Sequence, residues 1–116
     1  MKHSFSLPFP PSVNGLYAGK ARRYKSPKYK AWIAEAGLKL NLQTPYHQTI
    51  EGECVVVINL VRPDKRQRDV ANYEKAVSDL LVACGILKDD SLIIDNRQLW
   101  VDGDFECRID IEEIEE

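Results

Sequence analysis

The stretch from residue 62 to residue 75 combines the two kinds of side chain that cleavage of a phosphodiester requires. Four cations near its start can hold a phosphate backbone, because their charge is opposite to that of the phosphates. A carboxylate that follows them can bind a divalent metal ion, whose coordinated water attacks the phosphorus. The cations are Arg62, Lys65, Arg66 and Arg68, and the carboxylate is Asp69.

A helix and an acidic turn downstream could complete such a site. Asp69 and Asp90 are predicted ligands of Mg²⁺, provided that the start of the helix lies beside the turn at residues 89–90. Lys75 follows Asp69 on the same helix, where its ammonium could stabilise the charge of the transition state or hold the scissile phosphate. Ala71 is the exception, because it places a methyl group where a metal site would need an oxygen.

Each of these residues also has a purely structural explanation. Asp69 can be a helix N-cap, a role worth about 1 kcal/mol, and Asp89 and Asp90 can simply form a turn. Lys75 can be a solvated helix residue, and residues 62–68 (the basic loop) can be an ordinary surface loop. The catalytic interpretation is favoured because one loop and one helix supply both cations and carboxylates.

The charges are unevenly distributed along the chain. The net charge is −2, yet residues 20–30 (the N-terminal basic segment) and the basic loop together hold ten of the sixteen cations. An acidic tail from Asp102 onward offsets the positive charge of these two segments. A local basic patch can bind phosphates while the average charge stays acidic. On charge alone, a nucleic-acid site and a solvated charged surface fit equally well.

The pattern of apolar residues and turn formers predicts one α+β domain in the order β-α-β-α-β-β, with a mixed sheet and two main helices. Ser26 is the predicted cap of the first helix and Pro27 its first residue. Gly85 is the predicted terminator of the second. The last two strands are predicted to form a hairpin at residues 102–104. The predicted strands are 2–7, 53–61, 91–101 and 105–111, the helices are 26–42 and 69–84, and 8–15 and 18–25 are connectors.

Composition excludes several other classes of protein. With 116 residues the chain has room for one core, and its apolar runs are shorter than the roughly 20 residues of a membrane helix, so we expect a cytoplasmic protein without a membrane partner. The three cysteines are expected to be reduced and mostly buried, and the two histidines lack partners for a zinc site or a hydrolase triad. Trp32 and Trp100 are expected in the core rather than as a platform for bases.

Three motifs make the chain resemble the RusA family of Holliday-junction resolvases over almost its whole length. Residues 7–14 (Leu-Pro-Phe-Pro-Pro-Ser-Val-Asn) are similar to the family's N-terminal strand and proline-rich turn. Residues 63–72 (Pro-Asp-Lys-Arg-Gln-Arg-Asp-Val-Ala-Asn), followed by Lys75, resemble a basic run, then Asp-x-Asp-Asn, then lysine. Residues 87–95 resemble the family's acidic turn before a strand.

The resemblance implies a homodimeric endonuclease that binds four-way DNA junctions in a bacterial or phage-infected cell. It implies Mg²⁺ as the cofactor, with Mn²⁺ as a substitute, and symmetric nicking of two strands of like polarity. The implied metal ligands are Asp69 and Asp90, and the implied catalytic lysine is Lys75. DNA contact is assigned to Lys65, Arg66, Arg68 and Asn72.

Position 71 departs from the family pattern, because Ala71 stands where the family has its second metal-site aspartate. We therefore expect junction binding to survive and cleavage to be lost. One alternative is a non-enzymatic protein that binds junctions or branched DNA, in which the remaining aspartates are structural. Another is a protein-interaction module that uses the acidic tail.

Overall fold

The computed structural model describes residues 2–114, and the strand that organises them lies between Cys54 and Leu60. In chain order the elements are β1 (Lys2–Leu7), β2 (Tyr17–Ala18), β3 (Tyr24–Lys25), α1 (Pro27–Gln43), β4 (Cys54–Leu60), α2 (Glu74–Ala83), β5 (Ile93–Trp100) and β6 (Cys107–Glu113). Short 3-10 turns cover Val13–Gly15, Val70–Tyr73 and Asp90–Leu92. The predicted α+β class, the mixed sheet and the two main helices are confirmed.

Four strands form the sheet in the order β1-β6-β4-β5. Strand β4 pairs in parallel with β5 and antiparallel with β6, and β1 pairs antiparallel with β6. The central place of β4 follows from its composition, since its valines and isoleucine suit a strand with a neighbour on each edge. The carboxyl ends of β4 and β5 therefore meet at one edge of the sheet, where the basic loop begins.

The predicted hairpin between the last two strands is wrong. Strand β4 lies between β5 and β6, and Leu60 is paired with Trp100 on one side and Cys107 on the other. The turn residues at 102–104 carry the chain across the end of β4 rather than into a two-strand turn. The alternation of apolar residues identified both strands, but it contains no information on which strand pairs with which.

One face of the sheet carries the core and both helices. The inward side chains of β4, such as Val56 and Ile58, are fully buried, and the helices cover them with residues such as Leu40 and Leu81. On the opposite face, Val55 is only half-buried. This division follows from the geometry of a strand, in which successive side chains point to opposite faces.

Both predicted helix signals are confirmed. The hydroxyl oxygen of Ser26 accepts a hydrogen bond from the backbone N–H of Tyr29 at 3.1 Å, and Pro27 opens α1. Gly85 has φ +75°, the left-handed conformation that glycine adopts at little cost, and the buried Ile86 follows it. Local chemistry fixes these helix ends, which is why the sequence alone identified them.

The structure corrects the loop that is predicted for residues 18–25. They belong to a small hairpin in which β2 pairs antiparallel with β3. Gly19 makes the turn with φ +94°, and a Cβ added there would collide with the carbonyl oxygen of Arg22. Strands of two residues are too short to show an alternation in sequence, so this hairpin had no readable signal.

The second helix begins later than predicted. Val70–Tyr73 form a 3-10 turn, and the α-helix begins at Glu74. The strand predicted from residue 91 likewise begins at Ile93, after the turn Asp90–Leu92. In both places an aspartate caps the short turn, so the chain changes direction before the regular element starts.

The cysteine and tryptophan predictions are largely confirmed. Cys54 and Cys107 are fully buried and Cys84 is half-buried, all as free thiols. Burial raises the pKa of Cys107 to about 12, with Glu106 adding to the rise, so its thiol stays protonated at neutral pH. Trp32 is buried, whereas Trp100 is only half-buried. Among the described residues, no helix combines the length and apolar character needed to cross a membrane.

Candidate active site

An aromatic cluster fixes the two ends of the basic loop. The guanidinium carbon of Arg62 lies 4.8 Å from the centre of the Trp100 ring, a cation–π contact. The ring of Trp100 stacks on Phe9 at 6.3 Å and meets the edge of Tyr73 at 6.0 Å. Because Tyr73 ends the 3-10 turn after the loop, this cluster joins the loop's beginning to its end.

Asp64 organises the interior of the basic loop. Its carboxylate accepts hydrogen bonds from the backbone N–H of Arg66 at 2.9 Å, from Arg66 Nη2 at 3.1 Å and from Arg68 Nη2 at 3.0 Å. These bonds, with that from Arg68 the strongest, hold the pKa of Asp64 well below its usual range. The side chain of Arg66 is 81% exposed and that of Arg68 only 17%. Arg66 therefore faces outward, whereas Arg68 is mainly used to shape the loop.

Asp69 caps the 3-10 turn that follows the basic loop. Its Oδ1 accepts a hydrogen bond from the backbone N–H of Ala71 at 3.2 Å. The structural explanation of Asp69 as a cap is therefore confirmed, at the start of a 3-10 turn rather than of the α-helix. The methyl group of Ala71 is exposed, and Asn72 is half-buried.

Lys75 is the second residue of α2, and its side chain is 50% exposed. Its Nζ lies 3.3 Å from Oδ2 of Asp79, one helical turn further on. Hydrogen bonding to Asp79 and the negative charge of that carboxylate raise the pKa of Lys75. Glu74 fixes the start of the helix against the sheet, because its Oε1 accepts hydrogen bonds from Asn96 Nδ2 at 2.9 Å and from the Ser78 hydroxyl at 3.1 Å.

The two adjacent aspartates of the acidic turn have different surroundings. Oδ1 of Asp89 accepts a hydrogen bond from the backbone N–H of Ser91 at 2.8 Å, and this bond lowers the pKa of Asp89. Asp90 is the first residue of the 3-10 turn and is exposed. Asp89 thus caps the turn through its side chain, whereas Asp90 is an exposed residue of the turn.

A cavity brings the acidic turn together with α2 and the small hairpin. Asp90 and Asp89 line it, and so do Asp79 of α2, Tyr17 of β2 and Lys25 of β3. The cavity therefore combines three carboxylates with Lys25, a cation of the N-terminal basic segment.

Asp69 lines a different cavity, together with Arg62, Gln67 and Arg68. Across residues 2–114, no three histidine, cysteine, aspartate or glutamate side chains are close enough together to share a metal ion. Asp69 and Asp90, the two predicted metal ligands, thus line separate cavities, and neither belongs to a three-residue cluster that could hold an ion without further ligands such as substrate phosphates. In the sequence, Ala71 is the position that lacks the further carboxylate of the family pattern.

Sequence reasoning did not assign a role to Asp79 or Tyr17, and it identified Lys25 only as one cation of the N-terminal basic segment. A signal for Asp79 was present, because it follows Lys75 by four residues, the spacing that places two side chains together on a helix. Tyr17 and Lys25 reach the cavity through the hairpin that the sequence did not reveal.

Known proteins of similar sequence share one description. The family model described as Endodeoxyribonuclease RusA matches residues 8–112. A protein of Aquifex aeolicus (strain VF5), named Crossover junction endodeoxyribonuclease RusA, is 32% identical over 89 residues, covering 77% of this chain and 70% of that protein. A protein of the same name from Escherichia coli (strain K12) is 33% identical over 103 residues, covering 82% of this chain and 79% of that protein.

Proposed function

The chain belongs to the RusA family of endodeoxyribonucleases, and on that premise we propose that it binds four-way DNA junctions but does not cut them as it stands. The observation that carries this proposal is the exposed methyl group of Ala71, which stands between Asp69 and Lys75 at the position where the family pattern has an aspartate. Exposed cations suited to a phosphate backbone lie on the basic loop, whereas among the described residues no three carboxylates surround one point.

The DNA contacts are proposed to come from the basic loop and from the small hairpin formed by β2 and β3. Lys65 and Arg66 are exposed and can meet phosphates directly, while Arg68 supports them from inside the loop. Asn72 is half-buried just beyond the loop and can donate hydrogen bonds to the backbone. Lys25 adds a cation on the other side of the cavity that contains Asp90.

Mg²⁺ is the cofactor proposed for the family chemistry, with Mn²⁺ as a substitute. When bound, such an ion supplies an activated water and positive charge at the scissile phosphate. Because no three carboxylates among residues 2–114 form a cluster that could hold that ion, no cleavage step is assigned to this chain. Its own residues hold the phosphates and keep the ammonium of Lys75 at the start of α2.

A homodimer is proposed because the substrate has two-fold symmetry. A closed dimer places one site beside each of two equivalent strands, so that paired nicks become possible in an active form. One copy of the chain offers a single Asp69, Lys75 and Asp90, which is enough for one strand only.

Junction binding is the direct test of this proposal. In a gel shift at one fixed salt concentration with Mg²⁺, the chain is expected to bind a synthetic four-way junction at least tenfold more tightly than duplex or single-stranded DNA of the same length. The junction should remain uncut. Equal affinity for all three would contradict the proposal and favour the interaction module.

The second candidate is a binding protein that never cleaves. It is favoured by one observation, namely that Asp69 and Asp89 both serve as caps of 3-10 turns and so have structural roles of their own. The two candidates make opposite predictions for a variant that regains a carboxylate at position 71, because only the first expects that variant to cut the junction.

A single exposed arginine should account for one phosphate contact. Arg66→Ala is expected to reduce the slope of log K against log salt by about 0.9, the value for one neutralised phosphate. The measurement is junction affinity between low and physiological salt. Lys39→Ala is the matched control, because Lys39 is an exposed cation of α1 outside both basic segments. An unchanged slope in Arg66→Ala would remove Arg66 from the interface.

A further inference from the structure

The ammonium of Lys75 occupies an unfavourable place on its helix. Lys75 lies in the first turn of α2, where the aligned peptide dipoles create positive charge. A cation is disfavoured there, and an ordinary solvated lysine would extend away from it. In the structure the side chain instead turns along the helix to Asp79, with Nζ and Oδ2 3.3 Å apart.

Helix stability does not account for this pair. A half-exposed ion pair four residues apart contributes about 0.3–0.5 kcal/mol, and the order of lysine before acid is the weaker of the two orders. Asp79 also lines the cavity that contains Asp90, so the carboxylate that binds Lys75 is itself part of the candidate site. The arrangement therefore calls for an explanation other than support of the helix.

We propose that Asp79 is a positioning residue, which holds the ammonium of Lys75 beside the cavity lined by Asp90. This inference rests on the proposed function, in which Lys75 acts on the scissile phosphate. By holding the side chain, Asp79 reduces the number of conformations that Lys75 must lose when DNA arrives.

The surrounding charges assign Lys75 the role of a cation rather than a base. Asp79 raises the pKa of Lys75, and smaller contributions come from Tyr17 and Glu74. Other charged and titratable groups of the cavity are Lys25, Tyr29, Asp89 and Asp90. A lysine with a raised pKa stays protonated at neutral pH, so it can stabilise negative charge but cannot take up a proton.

Asp79 lies near a buried side chain of α1. Tyr29 is 2% exposed and lines the same cavity, and burial raises its pKa to about 12, with the charge of Asp79 adding to the rise. The phenol is therefore neutral at the pH of any practical assay. Asp79 therefore has both a buried, neutral phenol and the ammonium of Lys75 in its surroundings.

The first experiment measures Lys75 in the chain as it stands, without DNA cleavage. Asp79→Asn keeps the size of the side chain and removes its charge, and it is expected to lower the pKa of Lys75 in an NMR titration of labelled lysine side chains. Glu35→Gln is the matched control, since Glu35 lies 4.0 Å from Lys39 in an exposed pair of the same spacing on α1. An unchanged titration of Lys75 in Asp79→Asn would overturn the proposal.

The second experiment uses a form that carries Ala71→Asp and cuts junctions. Adding Asp79→Asn is expected to lower the single-turnover rate at least tenfold and to move the alkaline limit of activity to lower pH. Junction affinity should stay within twofold. Asp79→Glu should restore part of the rate, whereas Glu35→Gln should leave the rate and the pH profile unchanged.

The outcomes distinguish a failure of the proposed role of Asp79 from a failure of the proposed function. Normal cleavage and an unmoved pH profile in Asp79→Asn would reject Asp79 as a positioning residue. If Ala71→Asp itself fails to cut, the proposed function fails, and the NMR titration still decides whether Asp79 controls Lys75. Thermal unfolding of each variant shows whether a lost rate reflects a lost fold.

Discussion

Replacing Ala71 by aspartate is expected to raise the cleavage of a four-way junction in Mg²⁺ by about 10³-fold or more, from a level near background. The substitution returns a carboxylate to the turn that carries Asp69 and precedes Lys75. An additional oxygen donor there brings the donor set closer to what a Mg²⁺ ion requires, while the cations of the basic loop are already present.

The fold should tolerate this change. The side chain of Ala71 is exposed, so an aspartate can extend into solvent without displacing core residues. The contact of position 71 with Asp69 is made by the backbone N–H, which every residue except proline retains. The free energy of unfolding should therefore change by no more than about 0.5 kcal/mol, as at most surface positions.

Ala71→Asn is the matched control for this experiment. It has nearly the same shape as aspartate but no negative charge, and it should leave the junction uncut. Products are measured on a denaturing gel after incubation with Mg²⁺ and, separately, with a chelator. The expected result is a pair of nicks placed symmetrically in two strands of like polarity. If Ala71→Asp binds the junction and leaves it intact, the non-enzymatic alternative is preferred.

Asp90→Asn, made together with Ala71→Asp, is expected to reduce cleavage to within a few-fold of the uncut background. Asp90 is exposed at the start of a 3-10 turn and lines the cavity that also contains Asp79. Removing its charge takes away one of the proposed metal ligands, and loss of such a group costs on the order of 10²–10⁴ in rate.

The neighbouring residue provides the control. In Asp89→Asn the amide oxygen can still accept the hydrogen bond from Ser91, because asparagine is as good a cap as aspartate. Cleavage by the Ala71→Asp form should then fall by no more than a few-fold. The two substitutions are chemically identical and adjacent, so equal losses at both positions would contradict the special role of Asp90.

Parts of the fold governed by local chemistry were predictable from sequence. The cap at Ser26, the terminator at Gly85 and the two faces of β4 depend on residues within a few positions of one another. Pairings across the chain were not predictable in the same way. The placement of β4 between β5 and β6 depends on which strand edges meet in space, and hydrophobic alternation does not encode that.

The same distinction between local features and long-range contacts applies to the candidate site. Asp69, Lys75 and Asp90 could be named from residue type and from resemblance to the family. Geometry was needed to show that Asp89 is a cap while Asp90 is presented, because adjacent aspartates look alike in sequence. The spacing of Asp79 from Lys75 is visible in the sequence, but its place beside the cavity depends on the three-dimensional fold.

The bonds that Asp64 makes inside the basic loop have a consequence for the energetics of encounter. Because Asp64 holds the backbone of Arg66 and the guanidinium groups of Arg66 and Arg68, the loop already has a defined shape before any phosphate approaches. The basic loop therefore loses conformational entropy when the chain folds, and not when DNA binds. The same bonds lower the pKa of Asp64, so its carboxylate stays ionised and the loop stays preorganised at neutral pH.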